Sequence, residues 1–334
     1  LEGLSLLDGA GLTFARRRAL LNAELADAYA VQGRPSEADS RFKAAYSLLQ
    51  AIGKAESLNG VAVLGNWAGM HLRFGSPKRA LEMYLQAKDT AQRRSPGAQV
   101  SPPLLIQISN ATRQVGRAEE AAQTYRIAAD AARKAGSSRA EAFALTGLVL
   151  SVMEQKLPHP EAQQWLDRAR ALIGASVDDS RTAIGSSWLL AQAQAWHRHG
   201  ESTKAKGLLD TAVQRLSTGS SPTAALVTML MWRGLIASDT GSPGDAQRDL
   251  ELALSHAKRL PAPGGHSSFT GRAELALAEH HLREGQPQAA EAHARQALRE
   301  LEPSVGADSV WVSRAKELLD SSVRASLAAS GVSR

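Results

Sequence analysis

Apolar residues recur along this chain at helical spacing, in blocks that come in pairs. Leu20, Leu21, Ala23, Leu25, Ala28 and Ala30 precede Gly33, and Ala38, Phe42, Ala45 and Leu49 follow it. Spacings of three and four residues put each set on one face of an α-helix. Between the two blocks lies Gly33-Arg34-Pro35-Ser36-Glu37, and the next unit has Gly75-Ser76-Pro77-Lys78-Arg79. Glycine supplies a left-handed helix C-terminus, and proline suits the first turn of the helix that follows. The pattern therefore predicts helix, tight turn, helix. No segment shows the strict alternation of a half-buried strand, so an all-α chain is expected.

The unit repeats. A glycine is followed five residues later by an alanine at Gly33 and Ala38, Gly75 and Ala80, Gly116 and Ala121, Gly200 and Ala205, Gly241 and Ala246, and Gly285 and Ala290. A second alanine comes seven residues on, at Ala45, Ala87, Ala128, Ala212, Ala253 and Ala297. The glycine intervals are 42, 41, 84, 41 and 44 residues. The double interval holds a seventh unit with Ala162 and Ala169 but no turn glycine. The alanines flank Phe42, Tyr84 and Tyr125, and short side chains there let two helices approach closely. A period near 40 residues means stacked supersecondary units, an array with no single globular centre and with distant repeats out of contact.

Seven residues before each turn glycine stands a small residue: Ala26, Ala68, Ser109, Ala193, Gly234 and Ala278, with Gly147 in the unit that lacks the glycine. Small, glycine, alanine, aromatic or leucine, alanine at offsets 0, 7, 12, 16 and 19 resembles the tetratricopeptide repeat. The fourth term is Phe42, Tyr84, Tyr125, Leu166, Leu209 and Leu250, then departs at Ala294. The family's helix-ending proline is missing and its usual period of about 34 residues is exceeded. The period near 42 looks like the longer variant of kinesin light chains and bacterial signalling proteins. Eight extra residues shared by a helix pair lengthen each helix by roughly 6 Å. The resemblance covers residues 19–302 and implies a right-handed superhelical solenoid.

The chain parses into helix pairs over about residues 15–53, 54–95, 101–136, 138–174, 180–217, 222–260 and 267–302, with a capping helix over 307–329. The fourth pair is irregular, with Lys156-Leu157-Pro158-His159-Pro160 as an expected longer loop. The opening Leu4, Leu6, Leu7, Leu12 and Phe14 pack under the first pair or belong to a preceding repeat. All 334 residues form a single solenoid domain, and a start at Leu1 instead of methionine reads as a segment of something longer.

Composition narrows the function classes. Net charge is only +6, from 39 basic and 33 acidic residues, and no platform of interleaved aromatic and basic residues appears, so no nucleic-acid partner is expected. The densest basic run, Arg16-Arg17-Arg18, reads as a solvated helix start. There is no cysteine, hence no disulfide frame and no thiolate metal site. No apolar run approaches 18 residues and no signal peptide is visible, so no membrane partner and a cytoplasmic location are expected. High Ala, Arg and Gly content suggests a GC-rich bacterial genome.

Chemistry is sparse. His197 and His199 point to different helix faces, and these with His280 and His281 read as surface histidines, not as ligands. Ser186-Ser187 and Ser220-Ser221 have no neighbouring base pattern, and Gly264-Gly265 lacks the following lysine of a phosphate loop. Trp67, Trp188, Trp196 and Trp232 recur on first helices and read as core. The expectation is a non-enzyme with no catalytic residues, metal or cofactor.

Binding remains. Positions ten, six, three and two before each turn glycine share one face of the first helix. The resemblance implies that this face lines a concave groove. The candidate groove residues are Arg73, Asn110, Arg113, Gln194, His197, Arg198, Asp239, Glu279 and Arg283. Their donors suit an acidic protein or peptide partner. The family's clamp of paired lysines and asparagines is not matched. Two functions follow: an interaction scaffold that binds a partner peptide or helix in its groove, or the sensory arm of a larger bacterial signalling protein of the Ser/Thr kinase or ATPase-regulator kind.

Overall fold

The computed structural model describes residues 14–155, 159–219 and 223–329. Leu4, Leu6, Leu7 and Leu12, the Lys156-Leu157-Pro158 part of the expected loop, and Ser220-Ser221 lie outside the described residues. Fifteen α-helices and no strand are found among those described. They are α1 (Ala15–Val31), α2 (Pro35–Ala51), α3 (Leu58–Arg73), α4 (Pro77–Arg94), α5 (Pro102–Gln114), α6 (Ala118–Lys134), α7 (Ser138–Glu154) and α8 (Ala162–Ile173). Then come α9 (Ala183–Arg198), α10 (Ser202–Ser217), α11 (Ala224–Asp239), α12 (Pro243–Arg259), α13 (Ser268–Arg283), α14 (Pro287–Val305) and α15 (Val310–Ala329).

Each turn is built from the repeat glycine in one way. Gly33 has φ +73°, the amide of Arg34 donates to Tyr29 O, and the amide of Gly33 donates to Ala30 O. That is a Schellman end, which satisfies carbonyls the helix would leave open. The same two bonds recur at Gly75, Gly116, Gly200, Gly241 and Gly285. Proline opens α2, α4, α12 and α14, where its missing N–H has no intrahelical partner to lose.

The paired alanines are the close contacts. All fourteen, from Ala38 and Ala45 to Ala290 and Ala297, are buried, as are Phe42, Tyr84, Tyr125, Leu166, Leu209 and Leu250. Where the fourth unit has Gly147, an added Cβ would sit 2.3 Å from the Tyr125 ring, so the aromatic of one pair fills the notch of the next. Ala294 is no exception in burial, with no surface exposed. The fourth pair is irregular: α8 has only 12 residues and is followed by a 3-10 turn, Gly174–Asp178. As a result α9 packs more extensively on α7 than on α8.

One expectation fails. Along the chain each pair packs on its neighbours, but the two ends of the array also meet. The amide of Ser268, at the start of α13, donates to Gly75 O at 2.9 Å. Arg117 Nη2 donates to Asp308 Oδ2 at 2.8 Å across 191 residues. Helix α14 packs on α4, and one apolar cluster joins residues of α1 to α5 with Leu275, Leu301, Val305 and Val312. The solenoid therefore curls back until its seventh pair and capping helix dock on the turns of the second and third pairs. A repeat array fixes only the step between neighbours; closure is the sum of many small rotations.

Candidate functional site

Curling encloses a groove on the side of the first helices. Residues of α3, α5, α7, α9, α11 and α13 surround a cavity of about 390 Å³. One side carries Arg73, Gln107, Asn110, Arg113 and Gln114; the other is mainly apolar, with Phe143, Leu150, Leu190, Met229 and Phe269 beside the hydroxyls of Ser186, Ser187 and Thr228. No Asp or Glu lines it. A second cavity of about 650 Å³ lies between α1, α3, α4 and α5 and shares Gly69, Arg73 and Gln107 with the first. Its floor includes Gly65, beside which a Cβ would meet open space. Its one acid is Asp27, which accepts from Asn66 Nδ2 at 3.0 Å and whose pKa burial raises.

The polar side is held from behind. Arg113 Nη1 donates to Glu154 Oε1 at 2.6 Å, with the side chains 12% and 5% exposed. Burial disfavours the charge of Arg113, but Glu154 outweighs this and holds the guanidinium above its ordinary range. Asn110 Oδ1 accepts from the buried Tyr125 hydroxyl, and burial raises the Tyr125 pKa. Among the described residues neither Arg113 Nε nor Glu154 Oε2 has a hydrogen-bond partner.

The structure brings together three of the candidate groove residues, Arg73, Asn110 and Arg113. The others lie elsewhere on the same wall, and all but Gln194 are engaged between repeats. His197 Nε2 meets Asp239 Oδ2 at 3.1 Å, and Arg283 Nη1 donates to Asp239 Oδ1 at 2.8 Å. Arg198 Nη2 donates to Met153 O at 2.7 Å, at the end of α7. Arg314 of the capping helix donates to Glu279 at 2.8 Å. Gln194 is buried, its Oε1 unpartnered. The sequence separations of these bonds, 42, 44, 45 and 35 residues, are close to one repeat, so they stitch neighbouring pairs.

A register explains the split. In α3 and α5 the cavity is lined from positions two to nine before the turn glycine, the helix ends. In α9, α11 and α13 it is lined by Ser186, Ser187, Ala225, Thr228 and Phe269, the helix starts. These share the predicted face but lie one to two turns earlier. Each pair shifts along the next as the superhelix climbs, so a trough across the wall runs from helix ends to helix starts. Sequence periodicity gives the face and not the pitch.

The histidine expectation is corrected. His280 and His281 are buried, because the sixth pair, through Ser238, and α14, through His293, pack on the end of α13. The His281 ring stacks on His293 at 5.2 Å, and His293 Nδ1 bonds Glu274 Oε2 at 2.6 Å. No group of three or more His, Asp or Glu placed to hold a metal is found among the described residues. No helix among them is long and apolar enough to cross a membrane.

No protein-family model matches the chain, and no curated protein matches it. Solved structures do. A signal-transduction ATPase with numerous domains and a tetratricopeptide repeat sensor, from Pyrococcus horikoshii, is 14% identical with TM-score 0.55, over 92% of this chain and 43% of that one. NprR in complex with its cognate peptide NprX is 11% identical with TM-score 0.53, over 89% of this chain and 87% of that one. A tetratricopeptide repeat protein from Parabacteroides merdae is 15% identical with TM-score 0.51, over 91% and 98%. At such identities the likeness is one of fold: this chain has the tetratricopeptide-repeat fold.

Proposed function

We propose that the concave groove binds a linear segment of another protein, with Arg73, Gln107, Asn110 and Arg113 as its polar contacts. The observation that carries this is the lining of the groove. Two joined cavities run along one repeat face, mainly apolar on one side and rich in donors on the other, with no carboxylate in the first. An extended peptide needs such a trough, with pockets for side chains and amides for its backbone. Arginine favours carboxylates through paired N–H donors, so the favoured segment is acidic. His197, Arg198, Asp239, Glu279 and Arg283 then hold the shape of the wall, and Gln194 packs within it.

The likeness to a sensor solved with its cognate peptide supports this reading. A second reading, the sensory arm of a longer signalling protein, is favoured by the likeness to part of an ATPase of which this chain spans 43%. In both readings the groove is the receiving surface.

The test is a displayed library of random linear peptides, selected on the wild-type chain and rescreened on variants. Gly65→Trp fills open groove space without meeting a neighbour at Cβ, and Arg73→Glu reverses an exposed groove charge. Arg248→Ala changes an exposed position on α12. Selected peptides should lose affinity for both groove variants and keep it for Arg248→Ala. Loss with Arg248→Ala alone, or no peptide surviving selection, would overturn the groove as the binding surface.

A further inference from the structure

A separate cavity, of about 400 Å³, lies on the seam where the two ends of the array meet. One wall comes from α2, α3 and the start of α4. The other comes from Pro263, Gly264 and His266 ahead of α13 and from Pro303 and Ser304 in α14. The cavity shares no lining residue with the two groove cavities. It exists because the seventh pair docks beside it, through the Ser268–Gly75 bond.

Positive groups dominate the lining. Lys43 and Arg79 stand there with His71 and His266, and Asp39 is its one carboxylate. That carboxylate is engaged: its Oδ1 accepts from Trp67 Nε1 at 2.7 Å and stands 3.1 Å from His71 Nε2. Among the described residues the Lys43 side chain has no hydrogen bond or ion pair. Arg79 meets Glu82 at 3.3 Å, but both side chains are exposed, and such a pair is worth little. His266 Nδ1 is 3.9 Å from Glu300 Oε2.

Two further features ask for an anion. Helix α4 opens on the cavity with Ser76 and Arg79. Its first amides have no intrahelical partner, and Ser76, at the cap position, makes no side-chain bond to them. Free amides and the helix dipole favour negative charge at that point. Behind them His71 is only 6% exposed, and among the described residues neither ring nitrogen has a partner in hydrogen-bond geometry. A buried imidazole without partners is costly. With Asp39 beside Nε2, a protonated ring has Nδ1–H left to donate to a second anion.

We propose that this cavity binds a phosphate or a small phosphate monoester. Lys43 and Arg79 balance its charge, the Ser76 hydroxyl and the first amides of α4 donate to its oxygens, and His71 donates from the back wall. Donors that converge from three elements suit a tetrahedral dianion better than a flat carboxylate with one charge. The site is no phosphate loop: its charge and amides come from the first two pairs, and Gly264 only closes the far side. It is independent of the groove, so its failure leaves the groove reading untouched.

The experiment is a calorimetric titration of the wild-type chain with sodium phosphate, methyl phosphate and sodium acetate at constant pH and ionic strength. Phosphate should bind, and acetate at least about tenfold more weakly. Methyl phosphate binding as well as phosphate identifies a monoester as the ligand; phosphate binding alone identifies the free ion. In NMR spectra of the histidine rings, phosphate should shift His71 and leave the exposed His199 in place. Lys43→Gln and Arg79→Gln, both at exposed positions, should each weaken phosphate binding by about tenfold. Arg248→Gln, the same loss of charge on α12, should leave it unchanged. No binding by the wild type, equal affinity for acetate, or an unmoved His71 ring overturns the site. So does unchanged affinity in both lining variants, or an equal loss in Arg248→Gln.

Discussion

The carbonyl of Gly75 accepts a 2.9 Å hydrogen bond from the amide of Ser268, so a turn in the second repeat caps the first helix of the seventh. The first amides of a helix have no intrahelical partner. Here a distant backbone supplies one. Beside this, the Arg117–Asp308 pair is exposed on both sides and contributes at most about 1 kcal/mol. The backbone contact and the apolar packing around it therefore dominate closure.

Gly75→Ala tests that ranking. Gly33 and Gly75 both have left-handed φ, which costs an alanine about 1–2 kcal/mol. Around Gly33 a Cβ meets nothing, but at Gly75 it would sit 2.5 Å from Ser267 Oγ and 3.0 Å from the Phe269 ring. Gly75→Ala should melt at clearly lower temperature than Gly33→Ala and have a larger radius of gyration by small-angle scattering. Equal melting and equal radii would mean that the docked turn does not hold the ends together.

Arg113 and Glu154 form the buried pair behind the groove. Removing one partner strands the other charge, at a cost of about 3–5 kcal/mol, and an apolar replacement of both is far milder. Glu154→Ala should be strongly damaging, since it leaves the Arg113 guanidinium behind the groove without its carboxylate. Denaturant melts should place Glu154→Ala well below the double variant Arg113→Met, Glu154→Leu. The reverse order would show that the pair is solvated in solution.

The alanine register makes a sharper claim with the structure than without it. From the sequence, Ala294 stands where a large residue is expected and should accept leucine more easily than Ala128 or Ala212. In the fold Ala294 has no exposed surface, like Ala128. Overpacking such a site costs about 1–3 kcal/mol. All three leucine variants should be destabilised to this extent in chemical melts, and Ala294→Leu at wild-type stability would reveal an unfilled space between α13 and α14.

What the sequence made legible was local. Helix, turn and paired alanines follow from residues at most one repeat apart, and the turn glycines fall on the Schellman ends that their spacing predicts. The face of the groove was legible for α3 and α5, where Arg73, Asn110 and Arg113 reach the cavity. It was not for the later helices, since Ser187 and Phe269 take the places expected of His197 and Arg283. That displacement depends on superhelical pitch, which no spacing within a unit encodes. Glu154 had a usable signal, standing 41 residues after Arg113, one repeat on.

Acid should loosen the packing of the sixth pair on the seventh before it affects the carboxylates. His280 is buried on α13, its Nδ1 3.3 Å from Ser238 Oγ, with the rings of His280 and His281 5.6 Å apart. Burial lowers its pKa, and the neighbours His281 and Arg283 add to this while Glu284 and Glu251 oppose it. The folded state therefore holds fewer protons on this ring than the unfolded chain, whose histidines titrate near 6.5. Its contribution to stability is complete above about pH 6.5 and is lost as the pH falls from there toward the lower folded value. Glu274 has a lowered pKa: burial works against its charge, but bonds from His293 and Lys258 outweigh it. Its stabilisation is lost only further down, as the pH falls through its folded pKa below the ordinary carboxylate range. Urea melts of the wild type should lose stability between pH 7.5 and 5.5, and His280→Gln should show a shallower loss across that window. A variant whose curve runs parallel to the wild type would assign the titration to another histidine, with the half-buried His256, its pKa also lowered by burial, the next to replace.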